Sequence, residues 1–290
     1  VRCACIDVGS NTTRLLVAES IPDGLRSLEN ERVFTLIGAS LADDGRIPAE
    51  KVEETAAAVA GQAERARALG AEAVRAVATA AIRRASNAPE LAEAVRRQAG
   101  IPLEVLAGEE EARLAFRGAA HTCGGSGSLA VVDVGGGSTE IAFGDAEGRI
   151  ELATSVPVGS SLLAERYFAG DPPRAEEVQR ARDHVREAFD GLETRAVDRA
   201  VAVGGSASSL QHLAGAELGH VELAEALDVL MTDATWDIAA RFELDRERVR
   251  LLPAGLLVLA ELARRLGRSL AICKGGLREG VILEMIGQPK

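Results

Sequence analysis

Ile6-Asp7-Val8-Gly9-Ser10-Asn11-Thr12-Thr13-Arg14-Leu15 recurs as Val132-Asp133-Val134-Gly135-Gly136-Gly137-Ser138-Thr139-Glu140-Ile141, 126 positions further on. Each copy reads as an apolar strand ending in Asp, a tight glycine turn with hydroxyls, and a second apolar strand. Glycines let successive backbone N–H groups turn toward one point, which makes an anion-binding nest. The hydroxyls add donors. A carboxylate cannot hold an anion, so Asp7 and Asp133 are expected to face a metal ion or a water. One glycine hairpin is a common pattern and says little. Two copies in register point to a phosphate-binding duplication, in which facing hairpins would grip a polyanion and its metal from both sides.

The 290 residues suit two domains with two cores. Hydrophobic residues are 47% and charged residues 27%, the balance of a soluble globular chain; aromatics are only 3%, so Ala, Leu and Val must build the cores. The net charge of -11 argues against general nucleic-acid binding, which needs a broad basic surface. It does not exclude a phosphate ligand, because local donors decide that. There is no apolar run long enough to span a membrane and no signal-peptide pattern at the start. Cys3, Cys5, Cys123 and Cys273 lack metal-ligand spacing. Cys3 and Cys5 alternate along a strand and share one face, so buried thiols are expected rather than a disulfide, which fits a reducing cytoplasm.

Outward from the first hairpin, Glu29–Ile37 reads as a further strand and Asp43-Asp44-Gly45 as a turn. A helix over Pro48–Leu69 follows, with Val52, Ala56, Val59, Ala63 and Ala66 as its buried stripe. Ala73–Ala78 reads as a short buried strand. Arg83 follows that strand's end, where α/β sheets place ligands. Asn87 reads as a helix N-cap with Pro89 in the first turn. Ile101–Leu106 is a predicted strand. The helix after it, reaching about Ala120, opens on Glu109, Glu110 and Glu111. Acids in a first turn offset the helix dipole. Glu111 differs because the small Ala115 and Gly118 lie near its own face and permit close packing, so its side chain is a candidate to point into a cleft.

Thr122–Ser128 is a Gly/Ser-rich connector and the predicted domain boundary. Beyond the second hairpin come a strand near Ile150–Val156, a helix over Pro172–Leu192, and a strand at Arg199–Val203. That strand runs into Gly204-Gly205-Ser206, a third donor-rich turn at a helix start. Helices are predicted over Leu223–Met231, Asp233–Arg241 and Pro253–Leu266, then a strand at Ser269–Cys273 and a last helix after Gly275-Gly276. Whether the apolar helix from Gly255 to Leu266 serves a core or a homodimer partner is left open. The four histidines pair with no acid or Cys at ligand spacing.

Asp7–Leu15, Ala78–Asn87, Ala107–Gly118, Val131–Ile141, Val203–Leu210 and Gly276–Met285 together resemble the exopolyphosphatase/guanosine pentaphosphate phosphatase family, within the actin, sugar kinase and heat-shock ATPase superfamily. The resemblance implies an α/β chain of two ribonuclease-H-like domains flanking a cleft. The first is residues 1–121 joined by the C-terminal helix 276–290, and the second is 122–275. It implies Mg²⁺-dependent removal of the terminal phosphate from inorganic polyphosphate, with guanosine pentaphosphate as the alternative substrate. A non-catalytic polyphosphate or nucleotide sensor is the competing class.

Glu111 then falls on the family's catalytic Glu and Asp133 on its catalytic, metal-linked Asp. Arg83 and Asn87 fall on its cleft residues. The expected phosphate set is Gly9, Ser10, Asn11, Thr13 and Arg14; Gly135, Gly136, Gly137, Ser138 and Thr139; Gly204, Gly205 and Ser206; and Arg83, Asn87 and Lys274. Asp7, Asp133 and Glu140 are the expected metal-linked acids. Glu111 would take a proton from the attacking water, with like charges nearby raising its pKa. Leu36, Arg84, Leu162, Arg250 and Lys274 depart from the family pattern, so phosphate grip is expected to move toward Arg84 and Lys274. Longer relatives carry extra C-terminal helical domains, so short polyphosphates are the expected substrates.

Overall fold

The computed structural model describes residues 1–22, 24–41 and 44–287, which form two compact units. Asp43 of the predicted turn lies outside the described residues. Unit 1 holds Val1–Gly118 and the chain returning from Gly276; unit 2 holds Ala119–Gly275.

Unit 1 runs β1 (Arg2–Val8), β2 (Thr12–Ile21), β3 (Gly24–Phe34), α1 (Ile37–Ser40), α2 (Ala49–Ala68), β4 (Ala73–Ala78), α3 (Ala80–Arg84), α4 (Ala88–Ala99), β5 (Leu103–Val105) and α5 (Gly108–Cys123). Its sheet order is β3-β2-β1-β4-β5. β1 and β2 are antiparallel, with Asp7 opposite Arg14, whereas β1, β4 and β5 are parallel. The period-two alternation of β1 decides its two faces. Ala4, Ile6 and Val8 pack with the Val52, Ala56, Val59, Ala63 and Ala66 stripe of α2, while Cys3 and Cys5 pack with Leu114 of α5. Both are buried and outside any disulfide, as their spacing predicts.

Unit 2 runs β6 (Ser128–Val134), β7 (Thr139–Asp145), β8 (Ile150–Val156), α6 (Ser160–Tyr167), α7 (Ala175–Ala188), β9 (Arg199–Val203), α8 (Gly204–Ala214), β10 (Glu217–Leu218), α9 (His220–Thr232), α10 (Thr235–Phe242), α11 (Arg246–Leu266) and β11 (Leu270–Ile272). Its sheet order is β10-β11-β9-β6-β7-β8. Read from the other edge, β8-β7-β6-β9-β11 repeats β3-β2-β1-β4-β5, so the sequence duplication is a duplication of sheet topology. α12 (Leu277–Gly287) returns to unit 1 and buries Leu277, Val281 and Ile282 beside Cys3 and Cys5.

Several boundaries differ from the sequence expectation. The third strand ends at Phe34, and Ile37 opens α1. α11 starts at Arg246, not Pro253, and carries Pro253 in its interior. Proline removes one backbone donor and usually breaks a helix. Here the helix is held by burial of Leu252, Leu256, Leu257, Val258, Leu259 and Leu262 in the unit 2 core. That burial assigns the apolar run to the core of its own unit. Cys123 and Cys273 form a disulfide that spacing alone did not reveal, which removes the cysteine-based argument for a reducing compartment.

Candidate active site

In unit 1 the carboxyl ends of the parallel strands are knitted in sequence. Thr79 N–H donates to the Val8 carbonyl at 3.2 Å, and Leu106 N–H donates to Ala78 at 3.0 Å. The residues that follow those ends therefore gather on one edge of the sheet, where doubly wound folds bind ligands. Arg83, one turn after β4, donates from Nη1 to the Leu106 carbonyl at 2.9 Å and to Glu111 Oε2 at 2.8 Å. Glu111, on the first turn of α5, is buried. One partner of its carboxylate is thus a cation.

Asp7 ends β1 at the same edge. Its Oδ1 is buried and makes no hydrogen bond among the described residues. Burial raises the Asp7 carboxyl above the ordinary carboxylate range, and the Arg278 and Arg14 cations oppose that rise. The sequence reading gave Arg278 no role. It is buried on α12 and donates to the Leu15 carbonyl at 3.2 Å and to Asn30 Oδ1 at 2.9 Å. An arginine set among Leu277, Val281 and Ile282 was the available signal, because arginine is seldom fully buried unless paired.

In unit 2 Asp133 sits under the Gly204 turn. Gly204 has φ +82, and a Cβ there would lie 2.2 Å from Asp133 Oδ1. Ser206 Oγ donates to the Val134 carbonyl at 3.2 Å, tying the start of α8 to the end of β6. The Arg248 guanidinium lies against the same turn, 2.6 Å from where a Gly205 Cβ would be. Arg248 lies five residues from Pro253, in a stretch read as preceding the helix, so its place on α11 was not anticipated.

The two repeat turns share one backbone wiring. Gly9 N–H donates to the Thr12 carbonyl at 3.0 Å, and Gly135 N–H donates to Ser138 at 3.0 Å. Beyond the third strand of each unit, amides reach back to the turn's carbonyls. Leu36 donates to Asn11 at 3.0 Å and Gly38 to Ser10 at 2.7 Å; Ser161 and Leu162 donate to Gly136 at 3.0 and 3.2 Å. The Gly136 and Gly137 amides have no backbone partner among the described residues. Leu36 thus holds the Asn11 carbonyl, whereas Leu162 holds that of Gly136, the counterpart of Ser10.

The hydroxyls hold the scaffold instead of adding donors. Thr13 Oγ1 meets Thr35 Oγ1 at 3.3 Å, and Thr139 Oγ1 donates to the Val158 carbonyl at 2.6 Å. Ser138 Oγ donates to Glu140 Oε1 at 2.6 Å, as does Ser155 Oγ at 2.7 Å. Glu140 is buried, and its bonds to the two serines fix the turn. Asn87 is also buried. It stands at the N-cap of α4 without capping it. Its Oδ1 accepts from Ile47 N–H at 2.8 Å, and its Nδ2 donates to Ile47 O and Glu90 Oε2, both at 3.0 Å. Arg84, Arg250 and Lys274 are all exposed.

Residues 16–288 match the model of the Ppx/GppA phosphatase family. The chain belongs to that family. A solved Aquifex aeolicus family member is 30% identical over 99% of this chain and 97% of its own, with a TM-score of 0.84. A second Aquifex aeolicus structure, described as a PPX-GPPA enzyme, is 30% identical over 98% of this chain and 99% of its own, with a TM-score of 0.83. An exopolyphosphatase from Cytophaga hutchinsonii, 20% identical over 100% of this chain and 99% of its own, shares the fold with a TM-score of 0.90. As a Ppx/GppA phosphatase with the family's actin-like fold, the protein is a phosphoanhydride hydrolase. Among the described residues no helix is long and apolar enough to cross a membrane.

Proposed function

We propose that this Ppx/GppA phosphatase removes the terminal phosphate of inorganic polyphosphate with the help of Mg²⁺. The observation that carries the reading is the turn at Gly135–Ser138, whose carbonyls are engaged while the Gly136 and Gly137 amides remain for an anion, on the same closing bond as the turn at Gly9–Thr12. A polyphosphate chain offers only repeated anionic oxygens. The three turns offer only backbone donors and small polar side chains, with no aromatic on which a purine would stack. Those features favour polyphosphate over guanosine pentaphosphate.

Backbone donors and arginine charge act here by spreading the charge that otherwise repels a nucleophile from a phosphoanhydride. Glu111 accepts the proton of the attacking water. Arg83 holds the Glu111 carboxylate in place. In unit 1 the buried, unpartnered oxygen of Asp7 fits Mg²⁺, and in unit 2 Asp133 is a carboxylate at the equivalent strand end. No group of three or more acidic, His or Cys side chains able to hold a metal occurs among the described residues. That suits an ion that keeps waters and takes substrate phosphate oxygens beside one or two carboxylates. When bound, Mg²⁺ would neutralise phosphate charge.

The test is phosphate release from polyphosphates of graded length and from guanosine pentaphosphate, with and without Mg²⁺. Mg²⁺-dependent release from polyphosphate, exceeding that from the nucleotide, is expected. In Glu111→Gln, kcat should fall by about 10²–10⁴-fold while polyphosphate binding persists. Unchanged turnover in that variant ends the assignment of Glu111. Preference for the nucleotide ends the polyphosphate reading.

A further inference from the structure

The polypeptide passes from unit 1 to unit 2 after Gly118 and returns after Gly275. The two crossings are joined at two levels. On the unit 1 side Gly118 and Gly276 touch backbone to backbone, for a Cβ on Gly118 would lie 2.0 Å from the Gly276 carbonyl oxygen. On the unit 2 side Cys123 and Cys273 are covalently joined, with Cα atoms 5.9 Å apart and 150 positions between them in sequence. The bond makes unit 2 a covalent ring whose entry and exit coincide.

The bonded cysteines lie at the surface of unit 2. Cys123 and Cys273 are partly exposed, and Thr122, Gly124 and Lys274 beside them are exposed. Cys3 and Cys5 are a contrasting pair: both are buried, and burial holds the Cys5 thiol well above its ordinary range, so it yields little thiolate. Thiol chemistry on the folded chain is thereby confined to one pair. The chain between the two levels is short. On one side it is the last turn of α5, the helix that carries Glu111; on the other it is Lys274 and Gly275. A helix resists bending, so the freedom of the junction depends on whether the second crossing is tied to it.

We propose that Cys123 and Cys273 form a reversible thiol–disulfide site that closes the junction of unit 2 and slows turnover when oxidised. The exchange balances with a small disulfide such as glutathione disulfide. One protein thiolate attacks it, forming a mixed disulfide and releasing one glutathione. The second protein thiolate displaces the other glutathione, so that one protein S–S bond forms, one glutathione S–S bond breaks, and the two thiol protons end on the two glutathiones. The effect on turnover rests on the proposed function. The ring closure itself does not rest on it.

The test uses the full chain, oxidised with glutathione disulfide or reduced with dithiothreitol and then freed of reagent. Ellman's reagent on the native protein should find two reactive thiols in the reduced form and none in the oxidised form. Reduction should raise kcat for polyphosphate at least threefold. It should also speed subtilisin cleavage within residues 119–127. Cys123→Ser/Cys273→Ser should match the reduced form and ignore oxidant; should it not fold, Cys273→Ser alone serves, with near-ultraviolet circular dichroism as the check on structure. Equal kcat in the two forms overturns the effect on turnover. Native thiols that stay unreactive after reductant, or identical cleavage of the two forms, overturn the site itself. Absence of phosphate release from both forms counts against the proposed function, and the thiol and cleavage measurements still decide the redox site.

Discussion

Arg83 Nη1 stands 2.8 Å from Glu111 Oε2 and 2.9 Å from the Leu106 carbonyl, so one guanidinium nitrogen ties the carboxylate to the end of β5. An arginine anchored on backbone is a positioning device as well as a charge. If its main role is to hold Glu111, Arg83→Met will lower kcat by one to two orders of magnitude, roughly the cost of displacing a reacting group by about 1 Å. KM will rise only a few-fold. Were Arg83 chiefly a phosphate ligand, KM would carry most of the loss, and steady-state kinetics on polyphosphate separates the two outcomes.

Gly204 leaves no room for a methyl group beside Asp133. A Cβ there meets Asp133 Oδ1 at 2.2 Å, and φ is +82. In Gly204→Ala the left-handed backbone alone costs about 1–2 kcal/mol. The carboxylate must also move away. The expected result is a modest fall in melting temperature with a loss of about 10²-fold in kcat. A variant with full turnover would show that the position of Asp133 is not critical.

Much of this was legible beforehand because it rests on local pattern. Period-two alternation in β1 fixed the faces of Ala4, Ile6 and Val8 against Cys3 and Cys5, and helical spacing fixed the α2 stripe. The repeat at Asp7 and Asp133 marked both strand ends. The failures have a common physical origin, in partners distant in sequence. Thr139 lies beside Val158 and Asn87 beside Ile47, and neither partner can be read from the residues flanking the motif. Hydroxyls in a glycine turn look like ligand donors until those partners are known. The start of α11 was missed because a proline signal is local, whereas the burial that overrides it is tertiary.

Gly118 and Gly280 let α5 and α12 meet at backbone contact. A Cβ on Gly280 would lie 1.9 Å from the Leu114 carbonyl oxygen, and neither backbone can yield as a flexible side chain would. Gly280→Ala should therefore destabilise unit 1 by about 1–3 kcal/mol or more through overpacking. Gly61→Ala is the control, because a methyl group there meets nothing within 4 Å. Thermal unfolding of the two variants should differ by several degrees.

Closing 150 positions into a ring removes a large share of the unfolded chain's freedom. The chain-entropy relation gives about 5 kcal/mol for a loop of that length. Oxidised protein should accordingly keep unit 2 folded to higher urea than reduced protein, and Cys123→Ser/Cys273→Ser should show no difference between oxidant and reductant. Coincident urea curves for oxidised and reduced wild type would mean that the reduced unfolded chain retains the same constraint.

Asp7 should trade stability for function. Its folded carboxyl titrates above its unfolded value because burial opposes charge more than Arg278 and Arg14 support it. Between the unfolded and folded pKa values the folded state binds more protons, so stability falls as pH rises through that window and then levels off. The penalty is fully present above the folded pKa. Asp7→Asn removes the charge, so it should melt higher than wild type at pH 7 and lack the corresponding fall from acid to neutral pH. It should also lose phosphate release. Mg²⁺ bound at Asp7 would offset the same penalty by binding only the folded state. Wild type should then gain melting temperature with added Mg²⁺ at pH 7, and Asp7→Asn should gain much less. Equal gains in both would place the ion elsewhere, and a lower melting temperature for Asp7→Asn would mean that the arginines outweigh the burial.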